Sequence, residues 1–477
     1  MSTRPYALSA LAFVLCLHGC GRIGYDLATD AVIEQSATDP EPFGGAESSA
    51  VDVDEHGARL GRVPGFVSMP ASLPAATAGA AACPVGEDVI VAGGSDTFPA
   101  YGTCASSILR YEPTGELLVA GDLALPNQGF ALYHDAGDVH SVMGYCGGSL
   151  EDEANVLRLP PAGAPPELIG SFPEGAYHFA SGIVPDAEGV PNLLVAGGYG
   201  SGPLLDHIQV MDDNGDARLL TARLATARCM SAHAVVDGVL FVIGGNQQSE
   251  CTLPPTTTTP ILTDEIVAVS LTGDTADVVA HLPEPLAAGC AVVRYGKILV
   301  FGGVRYASDG STTLTRELSS PVYYIKPGTG EVGLWGADLP QPRAAMACAA
   351  TDEGQVLLFG GVGAGLVSTS EILAFDPLAR TGWITGAVAD SRVPGARWTK
   401  LILSADTPEG TAIAMAVRIS DDPTALASGL GWTDLAATGL LPEDLDRGRY
   451  LQWRATLTTT VANRSPVLNS VELQAEM

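Results

Sequence analysis

The chain has 477 residues, 56 of them Gly and 33 Pro, and its 54 Asp and Glu outnumber its 24 Lys and Arg, for a formal charge of −30. That length exceeds one ordinary hydrophobic core, and many Gly and Pro with only 16% charged residues describe short strands joined by turns rather than long surface helices, an all-β chain. The negative charge repels phosphate backbones, so nucleic acid is set aside as a partner.

Residues 1–19 read as an export signal: Arg4 gives a positive start, and the apolar run Ala7–Leu17 is far shorter than the roughly 20 residues a spanning helix needs. The run ends in Leu17-His18-Gly19-Cys20, which resembles the lipobox of bacterial lipoproteins. The resemblance implies cleavage before Cys20 and acylation there (diacylglycerol and an N-linked chain such as palmitate), each buried CH₂ contributing about 0.8 kcal/mol of anchoring. Gly21 after that Cys favours the outer membrane by analogy with enteric bacteria. Residues 20–62 then read as the lipidated Cys followed by a disordered acidic tether, because the stretch shows no sustained period of 2 or 3.6.

From residue 63 onward self-similarity decides the reading. A Gly pair follows an apolar run at Val89–Gly94, Val142–Gly148, Leu193–Gly198, Leu240–Gly245, Ile298–Gly303 and Val356–Gly361, in steps of 54, 50, 47, 58 and 58 residues. Each unit opens with a small-residue strand such as Ser231–Val236 or Gly289–Val293, turns at a site such as Asp237-Gly238, and runs through the apolar strand to the Gly pair. A variable loop, a third strand (Ile108–Tyr111, Val156–Leu159, Ile208–Met211, Ile266–Val269, Val322–Ile325, Ile372–Phe375) and a fourth complete it. Four strands per period of about 50 residues mark a propeller blade.

These units resemble kelch repeats, whose hallmark is the Gly pair ending the second strand. The resemblance covers residues 63–388 and implies a six-bladed β-propeller. The family's fourth-strand Trp is matched only by Trp335 and Trp383, and its Arg before the first strand only by Arg228 and Arg343. Phe66–Met69, ahead of the first full unit, is expected to supply the fourth strand of the last blade and so hide two sheet edges. Residues 390–477 lose the Gly pairs and alternate instead, in Trp398–Leu403, Ala412–Ile419, Tyr450–Leu457 and Val467–Leu473, as expected of a small β-sandwich.

Two cysteine pairs are expected to lie close, Cys229 with Cys251 and Cys104 with Cys146, because the loops that carry them share one end of the propeller. Cys290 and Cys348 each precede the first Gly of their pair by 12 residues. They read as equivalent, buried, unbonded small hydrophobes, and Cys83 is given no partner. Asp212–Asp216 has calcium-ligand composition, but it falls in the slot of a hairpin turn and is read as one. His178 and His233 lie near the starts of inner strands. Trp398, Trp432 and Trp453 are assigned mainly to core packing, with sugar stacking as the alternative.

The long loops after the Gly pairs of units one, four and five, 95–106, 246–263 and 304–320, carry the candidate contact residues: Phe98, Tyr101, Gln247, Gln248, Arg305, Tyr306 and Arg316, beside Arg228 and Arg343. Loops projecting from a rigid scaffold are where recognition is usually built. The function expected is a non-catalytic binding or scaffolding lipoprotein of the outer membrane, needing no metal or cofactor, with a protein or glycan of the cell envelope as partner and a lipid anchor as its only membrane contact. The competing class, implied by the kelch resemblance, is a carbohydrate-acting enzyme that oxidises sugars with a copper radical or interconverts anomers.

Overall fold

The computed structural model describes residues 23–25, 30–36, 47–54, 56–98, 103–135, 137–146, 154–159, 164–200, 202–308, 310, 312–352, 354–427, 430–436, 441–442, 445, 447–461 and 464–476. The signal, Cys20, Tyr101 and the dipeptide 147–148 lie outside them. The chain divides into two compact units, residues 64–377 and residues 1–63 together with 378–477.

Among the described residues, the 64–377 unit contains six four-stranded antiparallel sheets. In chain order their first strands are Ala81–Val85, Ala131–Asp135, Ala180–Pro185, Ala232–Val236, Cys290–Arg294 and Ala347–Ala350. Each sits beside the next, and the sixth beside the first. Sheets one to five each take their four strands from one continuous stretch of chain, interrupted in sheets four and five by loop strands, but sheet six takes its outer strand, Phe66–Ser72, from the start of the unit. That strand runs antiparallel to Glu371–Phe375, with Phe66 opposite Phe375 and Ser72 opposite Glu371. The arrangement is consistent with a β-propeller. Apolar side chains from facing sheets fill the wedges between them, for example Leu194, Ile208, Leu240 and Val267 between sheets three and four.

Backbone hydrogen bonds join the sheets in two closed circuits. In the first, Gly79, Gly129, His178, Met230, Ala288 and Ala345, each just before an inner strand, donate their amides in turn to the carbonyl of the preceding member, at 2.7–3.1 Å. All six hold φ between 53° and 67°. For the four that are not glycine this left-handed conformation costs roughly 1–2 kcal/mol each, a cost offset by hydrogen bonding of amides that would otherwise be buried unpaired.

In the second circuit the last residue of each Gly pair donates to the next sheet: Gly94 to Asn127 O, Gly198 to Arg228 O, Gly245 to Leu286 O, Gly303 to Arg343 O and Gly361 to Thr77 O, at 2.7–2.8 Å. The first residue of each pair is what lets the next sheet come so near. A Cβ at Gly93 would stand 2.5 Å from Asn127 O and one at Gly197 2.6 Å from Arg228 O; at Gly244, Gly302 and Gly360 it would strike Leu286 O, Arg343 O and Thr77 O.

This geometry corrects the second repeat. The residues in the Gly-pair position there are Met143-Gly144, with Met143 at φ 50°, and it is Gly144 that donates to Ala176 O, at 3.2 Å. Met143 carries the Cβ that five sheets omit, and its inter-sheet bond is the longest of the set. Measured at structurally equivalent residues, the steps are therefore 50, 54, 47, 58 and 58.

The other unit holds two main sheets. In one, Val467–Glu476 lies between Asp30–Ser36 and Gly57–Leu60 and also pairs Arg397–Asp406. The other runs Glu47–Ser49, Thr381–Thr385, Tyr450–Thr459, Thr411–Ser420 and Thr433–Asp434. Trp398, Leu451, Trp453, Leu457, Val471 and Leu473 form its core. Buried Gln35 accepts from Trp453 Nε1 at 2.9 Å.

Two expectations are overturned here. Residues 20–62 are not a free tether, for Asp30–Ser36 is paired along its whole length with Ser470–Glu476. A partner more than 430 residues away leaves no local period to read. Thr381–Thr385, expected to close the last repeat and carrying Trp383, belongs to the second unit, because Phe66–Ser72 already occupies the outer position of sheet six.

If the glycine-to-carbonyl approach holds neighbouring sheets together, Gly302→Ala should lower stability by about 2–4 kcal/mol. Gly328→Ala, where the added Cβ meets nothing within 4 Å, should change it by no more than about 0.5 kcal/mol. Thermal unfolding followed by circular dichroism checks both.

Candidate functional site

Both circuits lie at the end of the 64–377 unit where the loops after the Gly pairs begin, so the site is built on that end. Two disulfides tie its loops, Cys104–Cys146 between sheets one and two and Cys229–Cys251 beside sheet four. These join the four cysteines that the sequence placed in pairs. A third, Cys290–Cys348, corrects the reading of those residues as unbonded. Equal spacing from glycine hid a difference in register. Cys290 lies opposite Phe301 but Cys348 opposite Leu358, because the turn after Arg294 has two residues and that after Ala350 has five. The offset of one residue turns Cys348 to the opposite face of its strand, towards sheet five, where it meets Cys290. Cys83 is unbonded and buried, and burial pushes its thiol up to about 12.

Arg228 and Arg343 are not available to a ligand. Arg228 is 1% exposed and Arg343 3%, each salt-bridged to a carboxylate at the start of the third strand, Glu265 and Glu371. Their other donors reach the first-glycine carbonyls, Gly244 O at 3.5 Å and Gly360 O at 3.3 Å. Each guanidinium therefore buckles the Gly-pair corner of its own sheet. Burial disfavours the Glu371 carboxylate, but the bonds from Ser68 and Arg343 outweigh it and its pKa is lowered. A depressed folded-state pKa gives stability that is present above the unfolded value and lost as pH falls through the folded one.

Phe98 is also buried, at 6% exposure. It packs among Met230, Ala288 and Ala345 of the first circuit and lies edge-on to His178, with ring centroids 6.3 Å apart. It thereby plugs the mouth of the circuit, and beneath it is a cavity of about 120 Å³ lined by His178, His233, Met230 and Met346. His178 keeps some surface towards that cavity, yet protein atoms enclose it, and burial lowers its pKa to about 4. Burial also lowers that of His233, against a bond from Ser231. Both are neutral at pH 7.

The long loops of sheets four and five fold on each other. Val304–Ser308 and Leu314–Leu318 form a hairpin, and Thr256–Thr257 from the sheet-four loop adds a third strand. Arg305 bridges Glu284 and Glu317 at 2.9 and 3.0 Å. The Tyr306 hydroxyl donates to Pro254 O at 2.6 Å, and Arg316 donates to Leu253 O. These three, expected to face a ligand, mainly hold the hairpin in place. Gln247 and Gln248 are half-buried, with backbone amides bonded to Ile261 O and Asn246 Oδ1.

Beside the hairpin is a groove of about 680 Å³ walled by Arg316, Glu317 and Leu318, by Gln341 and Pro342, and by Ala364–Leu366 of the sheet-six loop. Of the candidate residues among those described, only Arg316 lines it. Sequence reasoning missed the rest of that wall, and also missed Tyr145, Tyr177 and Tyr199: Tyr145 stacks on Tyr177 with centroids 5.3 Å apart, and Tyr199 packs at a tilt against Tyr177 at 5.5 Å. Tyr145 and Tyr199 each follow a second-position glycine, a signal visible only once the second repeat is aligned on Gly144. Asp212 Oδ1 accepts from the amides of Asn214 and Asp216 at 3.0 and 2.9 Å, and the Asp212 amide donates to Asp216 O at 3.1 Å, so that acidic run is a hairpin turn closed by the side chain and backbone of Asp212.

The buckle predicts that Arg343→Met destabilises by roughly 2–4 kcal/mol at pH 7, and that the loss is smaller at an acidic pH low enough to protonate Glu371, whose folded-state pKa is lowered, in both proteins. Unfolding in urea at the two pH values measures this.

Neither a protein-family model nor a curated relative matches the sequence. Among solved structures, the fold is similar to that described as "Structure of YjhT", a kelch-type propeller, with a TM-score of 0.51 and 12% identity over 67% of this chain and 97% of that one. A likeness at that identity carries the fold alone, and with the many small four-stranded antiparallel sheets it is consistent with a β-propeller.

Proposed function

We propose that the six sheets are the blades of a six-bladed kelch-type propeller, that residues 378–477 with strands from 23–60 form a β-sandwich, and that the whole is an outer-membrane lipoprotein acylated at Cys20. Its role is non-catalytic: it binds or scaffolds a partner of the cell envelope through the loop end of the propeller. The observation that carries this reading is the groove beside the projecting hairpin. Two long loops are spent on a rigid three-stranded wall, braced by Arg305 between two carboxylates, and Gln341, Pro342 and Ala364–Leu366 face it across open space. Capping the ring does not require such a wall, since Phe98 already closes the mouth. Loops anchored this way present their side chains without an ordering cost on binding.

Crosslinking on intact cells followed by mass spectrometry tests the reading. A partner should be recovered whose yield falls at least fivefold when Gln341→Arg and Gly365→Asp fill the groove. Recovery unaffected by both, in a protein of unchanged melting temperature, would contradict it. Incorporation of labelled palmitate, lost in Cys20→Ala, tests the anchor separately.

A further inference from the structure

The outward face of the second unit's sheet carries a cationic, aromatic cluster that packing does not explain. Along Tyr450–Thr459 the alternate residues Leu451, Trp453 and Ala455 enter the core, as do Val417 and Ile419 of the neighbouring strand and Ile384 on the other side. Gln452, Arg454 and Thr456 therefore point the opposite way, with Ala416 and Arg418, and with Trp383 and Thr385. The register puts Arg418 opposite Gln452 and Arg454 opposite Ala416 on one flank, and Arg454 opposite Thr385 and Thr456 opposite Trp383 on the other. Two guanidinium groups thus stand on diagonal neighbours of one face.

Trp432 lies over both, with its ring centroid 4.4 Å from the Arg418 carbon and 4.8 Å from that of Arg454. Neither arginine has a carboxylate within ion-pair distance among the described residues, in a chain of charge −30. Glu47 and Asp434 mark the ends of the same row of residues. Arg418 Nε and Nη2 both donate to Gln452 Oε1, at 3.0 and 2.6 Å, whose amide group donates in turn to Gly386 O. Arg454 Nε is buried without a partner. Burial lowers the pKa of Arg418, with Glu47 opposing and the Arg454 charge adding to the effect.

The chemistry of such a cluster is specific. A guanidinium stacked through its face keeps its remaining in-plane N–H groups for acceptors, here Nη1 of Arg418, whose Nε and Nη2 are held by Gln452, and the terminal nitrogens of Arg454, a geometry that suits a carboxylate. Placing two like charges together without a counter-ion is unfavourable, and an anion would relieve it. Trp432 and Trp383, the latter 37% exposed, add flat apolar surfaces of the kind that pack on the C–H face of a sugar ring. We propose that this face binds a carboxylated glycan, its uronate carboxylates taken by the edges of Arg418 and Arg454 and its rings packed on Trp432 and Trp383. The net charge of the chain repels polyanions at long range, so the attraction is short-ranged and depends on these two forks.

Calorimetric titration of the full chain with tetragalacturonate, the neutral tetrasaccharide of galactose, and sodium sulfate tests this. The uronate should bind and quench tryptophan fluorescence, the neutral sugar should bind at least tenfold more weakly, and sulfate should not compete at equal concentration. Arg418→Gln and Trp432→Ala should each weaken the uronate at least tenfold. Arg454→Lys, which keeps charge and bulk, should retain the parent melting temperature and lose most of the discrimination between acidic and neutral sugar. Absence of uronate binding at millimolar concentration, equal binding of the neutral sugar, sulfate binding as tight as the uronate, or an unaltered Arg454→Lys variant would overturn the proposal.

Discussion

The 64–377 unit depends on how closely the backbone of one sheet can approach the next at the end of its second strand. A carbonyl from each following sheet occupies the space a Cβ would fill at Gly93, Gly197, Gly244, Gly302 and Gly360, and the glycine after each donates to that carbonyl. The approach brings the inner strands near enough for the six residues from Gly79 to Ala345 to complete their own circuit. Side-chain packing between sheets gains its area only at this spacing, so the hydrophobic wedges follow from the backbone contact.

The same contact determines what the loop end can do. Arg228 and Arg343 contribute the carbonyls that receive Gly198 and Gly303, and their side chains fold back on their own sheet's glycine corner. Phe98 seats itself on the circuit, beside a small cavity of about 120 Å³ at the axis. The larger groove lies away from the axis, where the hairpin of sheet five stands beside the sheet-six loop.

Much of this was legible in the sequence, and the failures have physical causes. The Gly pairs are a backbone requirement, so they survive as a pattern while the other positions drift. Phe66–Ser72 was readable as a spare outer strand because the first full unit left it over. The second repeat misled because Met143 tolerates the left-handed conformation that glycine usually takes, and a nearby Gly147-Gly148 offered a false match. Cys290 and Cys348 misled because spacing along the chain does not record turn length, and a one-residue slip reverses the face. Arg228, Arg343, Arg305 and Tyr306 look like recognition groups by residue type alone, and only burial and partners reveal them as braces. Nothing in residues 30–36 signals pairing, since the strand borrows its register from Ser470–Glu476.

The most direct test is native-state hydrogen exchange of the amides of Gly79, Gly129, His178, Met230, Ala288 and Ala345. If the circuit closes the unit, all six should exchange together and only through global unfolding, with opening free energies equal to the unfolding free energy. Exchange of any one of them at the rate of the surrounding loops, while the rest stay protected, would contradict the account.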